Sequence, residues 1–308
     1  MSVLNSIIQE VKKVVVGKDQ MIIKLLMVIL AKGHILIEDI PGVGKTTLAL
    51  AFSKAINLDY KRIQFTPDVM PSDVIGYMSY NRQKNEFEYI KGVGMCNLLL
   101  ADEINRTSSK TQSALLEMME ERKITVDGVT RNLPNPNIVI ATQNPIGSAG
   151  TQLLPESQLD RFMIKMSMGY PDINGEIQML KDRNGENPMN NVNAVATAED
   201  IVKFQNAVDK VYKNDAIYDY IARIVKATRE NPYIKLGVSP RGTVALVSLA
   251  SSCAFLSGRN YVIPDDVIKV FPDIAQHRIL LSSQAKLSNL SSADILKRIC
   301  VEVPAPRV

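Results

Sequence analysis

Ile35–Leu36–Ile37–Glu38–Asp39–Ile40–Pro41–Gly42–Val43–Gly44–Lys45–Thr46–Thr47 is the stretch from which the rest of the chain is read. Its short apolar opening, with a β-branched bias, predicts a buried strand. A tight loop holding Pro41, Gly42 and Gly44 follows. A helical pattern then places Leu48, Ala49, Ala51, Phe52, Ala55 and Ile56 on one side. Strand, glycine loop, Gly-Lys-Thr and helix is the arrangement that cradles nucleotide phosphates. Small residues let consecutive N–H groups turn inward on phosphate oxygens. The helix points its positive end at the same anion. Lys45 adds a point charge, and the Thr46 hydroxyl is placed to ligate Mg²⁺. The candidate nucleotide-binding residues here are Ile40, Pro41, Gly42, Val43, Gly44, Lys45, Thr46 and Thr47. One position departs from the pattern, because Asp39 stands where the loop usually has its first glycine. The competing reading is a Gly-rich strand-to-helix turn with a solvated lysine. It leaves the flanking strand and helix unexplained.

A chain of 308 residues suggests two domains, and 46% apolar with 22% charged residues describes an ordinary globular composition. The net charge of +4, from 36 basic and 32 acidic residues, is too small to argue for a nucleic-acid or membrane surface. Cys96, Cys253 and Cys300 are odd in number and far apart, which reads as buried thiols in a reducing compartment. Two histidines and no Cys-x-x-Cys offer no zinc site. The most apolar run, Met21–Leu30, is broken by Lys24 and is too short to cross a bilayer. With no membrane span and no secretion-signal order at the start, the expected location is the cytoplasm.

Along the chain, the first 31 residues predict two helices around a turn at Val16–Gly17–Lys18–Asp19. Lys61–Phe65 predicts a short strand. Pro67, Pro71 and Gly76 break the chain before a small hairpin within 77–95. Asn97–Leu98–Leu99–Leu100–Ala101–Asp102–Glu103 is an apolar run ending in paired carboxylates. It would deliver acids to the carboxyl edge of a sheet, where open α/β folds bind ligands. There Asp102 would hold Mg²⁺ and Glu103 would polarise an attacking water. Ser109–Lys110–Thr111–Gln112 has capping-box form ahead of a helix. Asp127–Gly128 is a two-residue hairpin turn. Ile138–Thr142 predicts another buried strand, and Asn144 beyond it could bond a γ-phosphate or a water, or simply form a turn. Gly147–Gln158 reads as a loop, and Leu159–Met166 as a fourth strand. Arg161 could pair with Asp160 or act on a neighbouring subunit's nucleotide.

Pro171–Asp172 marks the expected boundary, beyond which the pattern is helical with no strand signal. Thr197 and Asp200 cap one helix, Ile217–Arg229 forms a second, Ser239–Pro240 opens a third and Pro264 a fourth. Arg241 falls in a helix's first turn, unfavourable for a cation unless an anion neutralises it. Phosphate is one such anion, and an ordinary surface arginine is the alternative.

Together these elements resemble the MoxR family of AAA+ ATPases, from about Val15 to Ile279. The resemblance is carried by Glu38–Thr46, Met70–Asp73, Ala101–Arg106, Val126–Gly128, Ala141–Pro145, Leu159–Phe162 and Ser239–Arg241. It implies an α/β P-loop AAA+ core with a five-stranded parallel sheet in the order 5-1-4-3-2, then an all-helical lid domain. The core would span 1–170, with a helix-2 insert at about 66–95 and a pre-sensor-1 hairpin at about 123–133, and the lid 171–308. By position, Lys45 and Thr46 match Walker A, and Asp102 and Glu103 match Walker B. Asn144 matches sensor 1, Arg161 the arginine finger and Arg241 sensor 2. Val16 and Gly17 match the adenine-contacting segment, and Val93–Gly94 departs from the family's common Gly-Pro. The implied catalytic residues are therefore Glu103, Asn144, Arg161 and Arg241, with Thr46 and Asp102 on the metal.

The resemblance further implies ATP and Mg²⁺, a homo-oligomeric ring, expected to be a hexamer, and chaperone-like remodeling of protein partners. Such partners often carry a von Willebrand factor A domain. The rivals are a nucleotide-dependent scaffold without useful turnover, a nucleic-acid motor and a small-molecule kinase. The weak net charge disfavours the motor. The long helical lid and Arg161 fit a kinase poorly.

Overall fold

Three apolar runs and two flanking edge strands pair side by side into one parallel sheet. The computed structural model describes residues 2–40, 42–144, 154–170, 173, 175–177 and 187–306. Pro41, Pro145, most of the Gly147–Gln158 loop and the Pro171–Asp172 boundary lie outside the described residues. The strands are β1 Ile35–Glu38, β2 Tyr60–Gln64, β3 Tyr77–Asn81, β4 Glu86–Ile90, β5 Leu98–Asp102, β6 Lys123–Val126, β7 Val129–Asn132, β8 Ile138–Gln143, β9 Ile164–Met166, β10 Ile234–Leu236 and β11 Leu280–Leu281. The main sheet runs β2-β5-β8-β1-β9 and is parallel throughout. Numbering its strands along the chain gives the expected order 5-1-4-3-2. The phosphate-loop strand β1 therefore sits between β8 and β9.

Alternation along these strands feeds two cores. Ile35, Ile37, Leu98, Leu100, Ile138 and Ile140 join a core shared with helices Ser2–Lys12, Asp19–Leu30 and Lys45–Ala55. Leu36, Leu99, Ala101, Val139 and Ala141 join the other, with Leu115, Leu116, Met118 and Met119 of helix Ser109–Glu121. Burial on both faces is why β1, β5 and β8 read as apolar runs.

The inserts form as the sequence indicates. β3 and β4 pair antiparallel, and so do β6 and β7 across Asp127–Gly128, both of which take positive φ (49 and 75). Three local readings need correction. The helix expected from Ser109 is capped by Ser108, whose side chain accepts the Thr111 N–H, while Gln112 turns inward to the Ile104 and Thr107 carbonyls. The strand expected from Leu159 begins only at Ile164, because Glu156–Leu159 is a short helix. The C-terminal region is helical as expected but also contains the antiparallel β10–β11 ladder. Strands of three and two residues are too short to show alternation.

A short helix at Pro71–Ile75 precedes β3, and the α-helices described beyond residue 191 are Ala198–Asp209, Asp215–Glu230, Pro240–Leu256, Pro264–Ala275, Ser283–Leu287 and Ser292–Glu302. Thr197 with Asp200, and Ser239 ahead of Pro240, cap as their residue types dictate. Arg278 fastens this region to the sheet. Its side chain is 2% exposed and donates to Asp160 Oδ1 (2.7 Å) and to the carbonyls of Asp160, Phe162, Met163 and Ile274. Asp160 also accepts the Ser239 hydroxyl, at 2.8 and 2.9 Å to its two oxygens. Arg278→Leu takes the main charged partner from a partly buried carboxylate that keeps the Ser239 hydroxyl, and a donor from four carbonyls, so urea unfolding is expected to show a loss of about 3 kcal/mol. A loss under 1 kcal/mol would contradict this account of the docking.

Both histidines are structural. His34 Nε2–H donates to the Met119 carbonyl and Nδ1 accepts the Val139 N–H, each at 3.0 Å. Burial pushes His34 down to about 4, and burial with Arg278 alongside pushes His277 down to about 3. Unfolded imidazole titrates near 6.5, so below that pH the unfolded chain gains protons that the folded chain refuses. Stability is therefore fully present above pH 6.5 and falls as the pH drops, by up to about 1.4 kcal/mol per pH unit for each histidine. Denaturant midpoints measured from pH 7.5 to 5 test this, and a flat profile would refute it.

Candidate functional site

The carboxyl ends of β1, β5 and β8 converge on one cleft of about 310 Å³. The phosphate loop and its helix supply Gly42, Gly44, Lys45, Thr46 and Thr47, β2 supplies Arg62 and Gln64, and Asp102, Glu103, Thr142 and Asn144 stand opposite. Gly42 and Gly44 take φ of 88 and 96, which only glycine adopts without strain. A Cβ at Gly42 would meet nothing within 4 Å, so the loop encloses open space. Ile40 and Val43 are not among the lining residues: the Ile40 N–H donates to Asp39 Oδ1 at 3.0 Å, and Val43 packs towards the core. Lys45 is 9% exposed, and its Nζ donates to the Asp39 carbonyl at 2.8 Å. Burial lowers its pKa, and Asp39, Asp102 and Glu103 oppose that shift.

Thr142 organises the acidic side. Its hydroxyl donates to Asp102 Oδ1 at 3.1 Å and accepts the Glu103 N–H at 2.9 Å. Asp102 Oδ2 accepts Arg62 Nε at 2.7 Å. Glu103 sits at φ 56, in the left-handed region, where strain is tolerated at functional positions. Arg106 donates to its Oε2 at 2.9 Å. Burial would raise the Glu103 carboxyl, but hydrogen bonds from Arg106 and Asn144, with the charges of Arg106 and Lys45, hold it below its ordinary value. The Asn144 carbonyl accepts from Asn105, and Asn144 Oδ1 is buried with no partner. An orphaned buried acceptor beside a carboxylate suits a bound water or ligand hydroxyl.

These residues fit a magnesium triphosphate. The loop offers N–H groups and a buried cation, and Thr46 and Asp102 offer hard oxygen ligands. Among the described residues there is no cluster of three His, Cys, Asp or Glu able to hold a metal by itself. A cation here would thus share its shell with phosphate oxygens and water, as Mg²⁺ does.

A second cleft adjoins the first and is lined by Gly17, Lys18, Met166, Ser167, Met168 and Gln276, among others. Gly17 lines it, whereas Val16 is half-buried and does not. Met168 lies between the two clefts, its Cε 3.8 Å from a Cβ position on Gly44.

Arg161 and Arg241 stand apart from both clefts. Arg161 Nε donates to Glu120 Oε2 at 2.8 Å, and Arg241 pairs with the other oxygen of Glu120. Arg241 also lies 3.7 Å from Asp160, which pairs with Arg278 and not with Arg161. Glu120 follows Met119, whose carbonyl meets His34 ahead of β1, and Arg161 precedes β9. Both arginines therefore sit at the amino edge of the sheet, opposite the cleft. Sequence reasoning missed Arg62, Gln64 and Thr142 as lining residues. The available signal was the charged, outward-facing β2, whose Gln64 pairs in register with Asp102.

Residues 34–164 match the family described as ATPase family associated with various cellular activities (AAA), and residues 226–299 match the AAA lid domain. The chain is 47% identical to the uncharacterized protein YeaC of Bacillus subtilis, over 99% of this chain and 96% of YeaC. It is 39% identical to the Chaperone MoxR1 of Mycobacterium tuberculosis, over 99% of this chain and 83% of that protein. A crystal structure of a candidate ATPase from Cytophaga hutchinsonii superposes with a TM-score of 0.91 at 39% identity, covering 99% of this chain and 96% of that one. With the phosphate loop, the paired acids and the 5-1-4-3-2 sheet already in place, identity sustained over the whole length settles the assignment: the chain belongs to the MoxR family of AAA+ ATPases.

Proposed function

We propose that this chain hydrolyses ATP with Mg²⁺ in a homo-oligomeric ring, expected to be a hexamer, and uses the cycle to remodel a protein partner. The placement of Arg161 and Arg241 carries the reading. The cleft's own cations are Lys45 and Arg62, and Arg62 already faces Asp102. Two further guanidinium groups stand at the opposite edge of the sheet, both on the 36% exposed Glu120, with Arg161 also donating to the Ser157 carbonyl at 3.2 Å and Arg241 lying 3.7 Å from Asp160. That arrangement suits delivery to a neighbouring subunit's nucleotide.

Within the cleft, loop N–H groups and Lys45 bind the β- and γ-phosphates. Thr46 and Asp102 would hold Mg²⁺, which would supply positive charge to offset that of the phosphates. Glu103 and Asn144 orient the water. With its lowered pKa, Glu103 stays ionised near neutral pH and acts as an acceptor that aligns the nucleophile. Gly17 and the second cleft would take the nucleoside, and Arg161 with Arg241 would offset charge developing on the γ-phosphoryl oxygens of the neighbour. The name of MoxR1, a chaperone, supports a protein substrate. A partner with a von Willebrand factor A domain remains part of this proposal. The domains would divide at residues 170 and 171, as the sequence pattern suggests.

Glu103→Gln is expected to keep MgATP affinity within about threefold while phosphate release falls by ~10²-fold or more. Near wild-type release would remove Glu103 from its role, and no release from wild type itself would favour the scaffold reading. Arg161→Ala should bind nucleotide yet lose ~10³ to 10⁵ in rate, or roughly 4–7 kcal/mol of barrier. Mixing it with Lys45→Ala decides between shared and self-contained sites. Two inactive variants should regain activity together, one giving the binding cleft and the other the arginines. No recovery in verified mixed assemblies would sink the shared site.

A further inference from the structure

The first position of the phosphate loop carries a carboxylate, and the structure gives that carboxylate a full set of partners. Asp39 is 7% exposed. Its Oδ1 accepts the Ile40 N–H at 3.0 Å. Its Oδ2 accepts the Ser167 hydroxyl at 2.9 Å, the Met168 N–H at 2.5 Å and the Gly169 N–H at 2.8 Å. Successive N–H groups around a left-handed residue form a concavity for an anion, and Gly169 takes φ 60. The Asp39 carboxylate fills it. Burial pushes this carboxyl up, and hydrogen bonds from Gly169, Ser167, Met168 and Ile40 more than reverse the effect. Four donors converge on Asp39, three of them on Oδ2 from Ser167–Gly169, so its work is done through the segment it holds.

That segment is gripped from its other side as well. Lys18 Nζ donates to the carbonyls of Met168 (2.6 Å), Gly169 (3.3 Å) and Tyr170 (2.8 Å). Lys18 follows Gly17 in the turn lining the second cleft, where Ser167 and Met168 also stand. Met168 reaches across to Gly44 of the phosphate loop, and Lys45 is anchored on the Asp39 carbonyl at 2.8 Å. One short run of chain, leaving the last strand of the sheet, therefore touches both clefts. Its N–H groups are read by Asp39 and its carbonyls by Lys18.

We propose that Asp39 and Lys18 are paired positioning residues that fix Ser167–Tyr170 as the common wall of the two clefts, so that the triphosphate and nucleoside parts of one nucleotide bind in register. This rests on reading the two clefts as one nucleotide site. Asp39 is then a requirement of this loop and not a lapse from the glycine pattern. Glycine at 39 would leave the Met168 and Gly169 N–H groups without their acceptor, a loss that outweighs any gain in loop freedom.

The test is titration calorimetry of full-length protein with MgATP and, separately, with magnesium tripolyphosphate, which has no nucleoside. Asp39→Gly, although it restores the common pattern, is expected to weaken both ligands by about tenfold or more. Lys18→Met should weaken MgATP by about tenfold and leave tripolyphosphate within about twofold, and Lys18→Arg should retain MgATP affinity. Wild-type MgATP affinity in Asp39→Gly would overturn the proposal. So would a Lys18→Met variant that shifts both ligands alike or neither. If Asp39→Gly loses its cooperative melt, the half-buried Lys18 decides alone through the split between the two ligands. Lys45→Ala guards the premise: undiminished binding of both ligands by that variant would refute the nucleotide reading itself, whatever the clamp variants do.

Discussion

Leu98, Leu100, Ile138 and Ile140 face one core while Leu99, Ala101, Val139 and Ala141 face the other, and the site depends on that two-sided burial. A strand sealed on both faces has nowhere to put a charged side chain except beyond its end. Asp102, Glu103 and Asn144 accordingly stand at or just past the carboxyl ends of their strands, level with the loop that follows β1. Parallel pairing then brings all three ends to one edge. The chemistry is concentrated because the alternatives are sterically and electrostatically closed.

Concentrating charge has a cost that the surrounding polar groups offset. Asp102 is 6% exposed and would be expensive to bury alone, but the Thr142 hydroxyl and Arg62 serve one oxygen each. Thr142 also takes the Glu103 N–H, so one hydroxyl on the central strand β8 fixes both acids of β5. Lys45 illustrates the balance from the opposite sign. Burial works against its charge, three nearby carboxylates work for it, and burial prevails without abolishing the cation. A triphosphate entering this cleft adds negative charge where Lys45 has the most to gain from it.

The sequence made the local parts of this site legible and left the non-local parts obscure. Glycines, Lys45, Thr46 and the Asp102–Glu103 pair lie within short motifs whose residue types follow from backbone geometry and charge. The strands β1, β5 and β8 are legible because both of their faces are buried. Arg62 could not be placed in the same way, since its partner Asp102 is 40 positions away and joins it only through strand pairing. The Glu120 cluster draws on residues 41 and 121 positions apart. Ser108 was passed over for Ser109 because adjacent serines offer the same capping chemistry, and Gln112 found better partners inside the protein. Asp39 was legible only as a departure, because the segment it serves lies about 130 residues downstream.

The Glu120 cluster gives the assembly argument its physical basis. Arg161 and Arg241 share one carboxylate that is 36% exposed, and their own side chains are 30% and 41% exposed. Ion pairs of that exposure are worth only about 0–1 kcal/mol each, because water and salt screen them. Arg278 shows the contrast. It is sealed at 2% exposure on Asp160 and surrounding carbonyls, which is how this fold treats an arginine meant to stay in place. A triphosphate in a water-poor interface binds a guanidinium far more strongly than a half-exposed glutamate does. On the proposed shared-site reading, Glu120 would hold both arginines in the separate chain and release them when a neighbour presents its phosphates. The two arginine environments differ: one cation is sealed into the fold, and two are left partly exposed on a shared carboxylate.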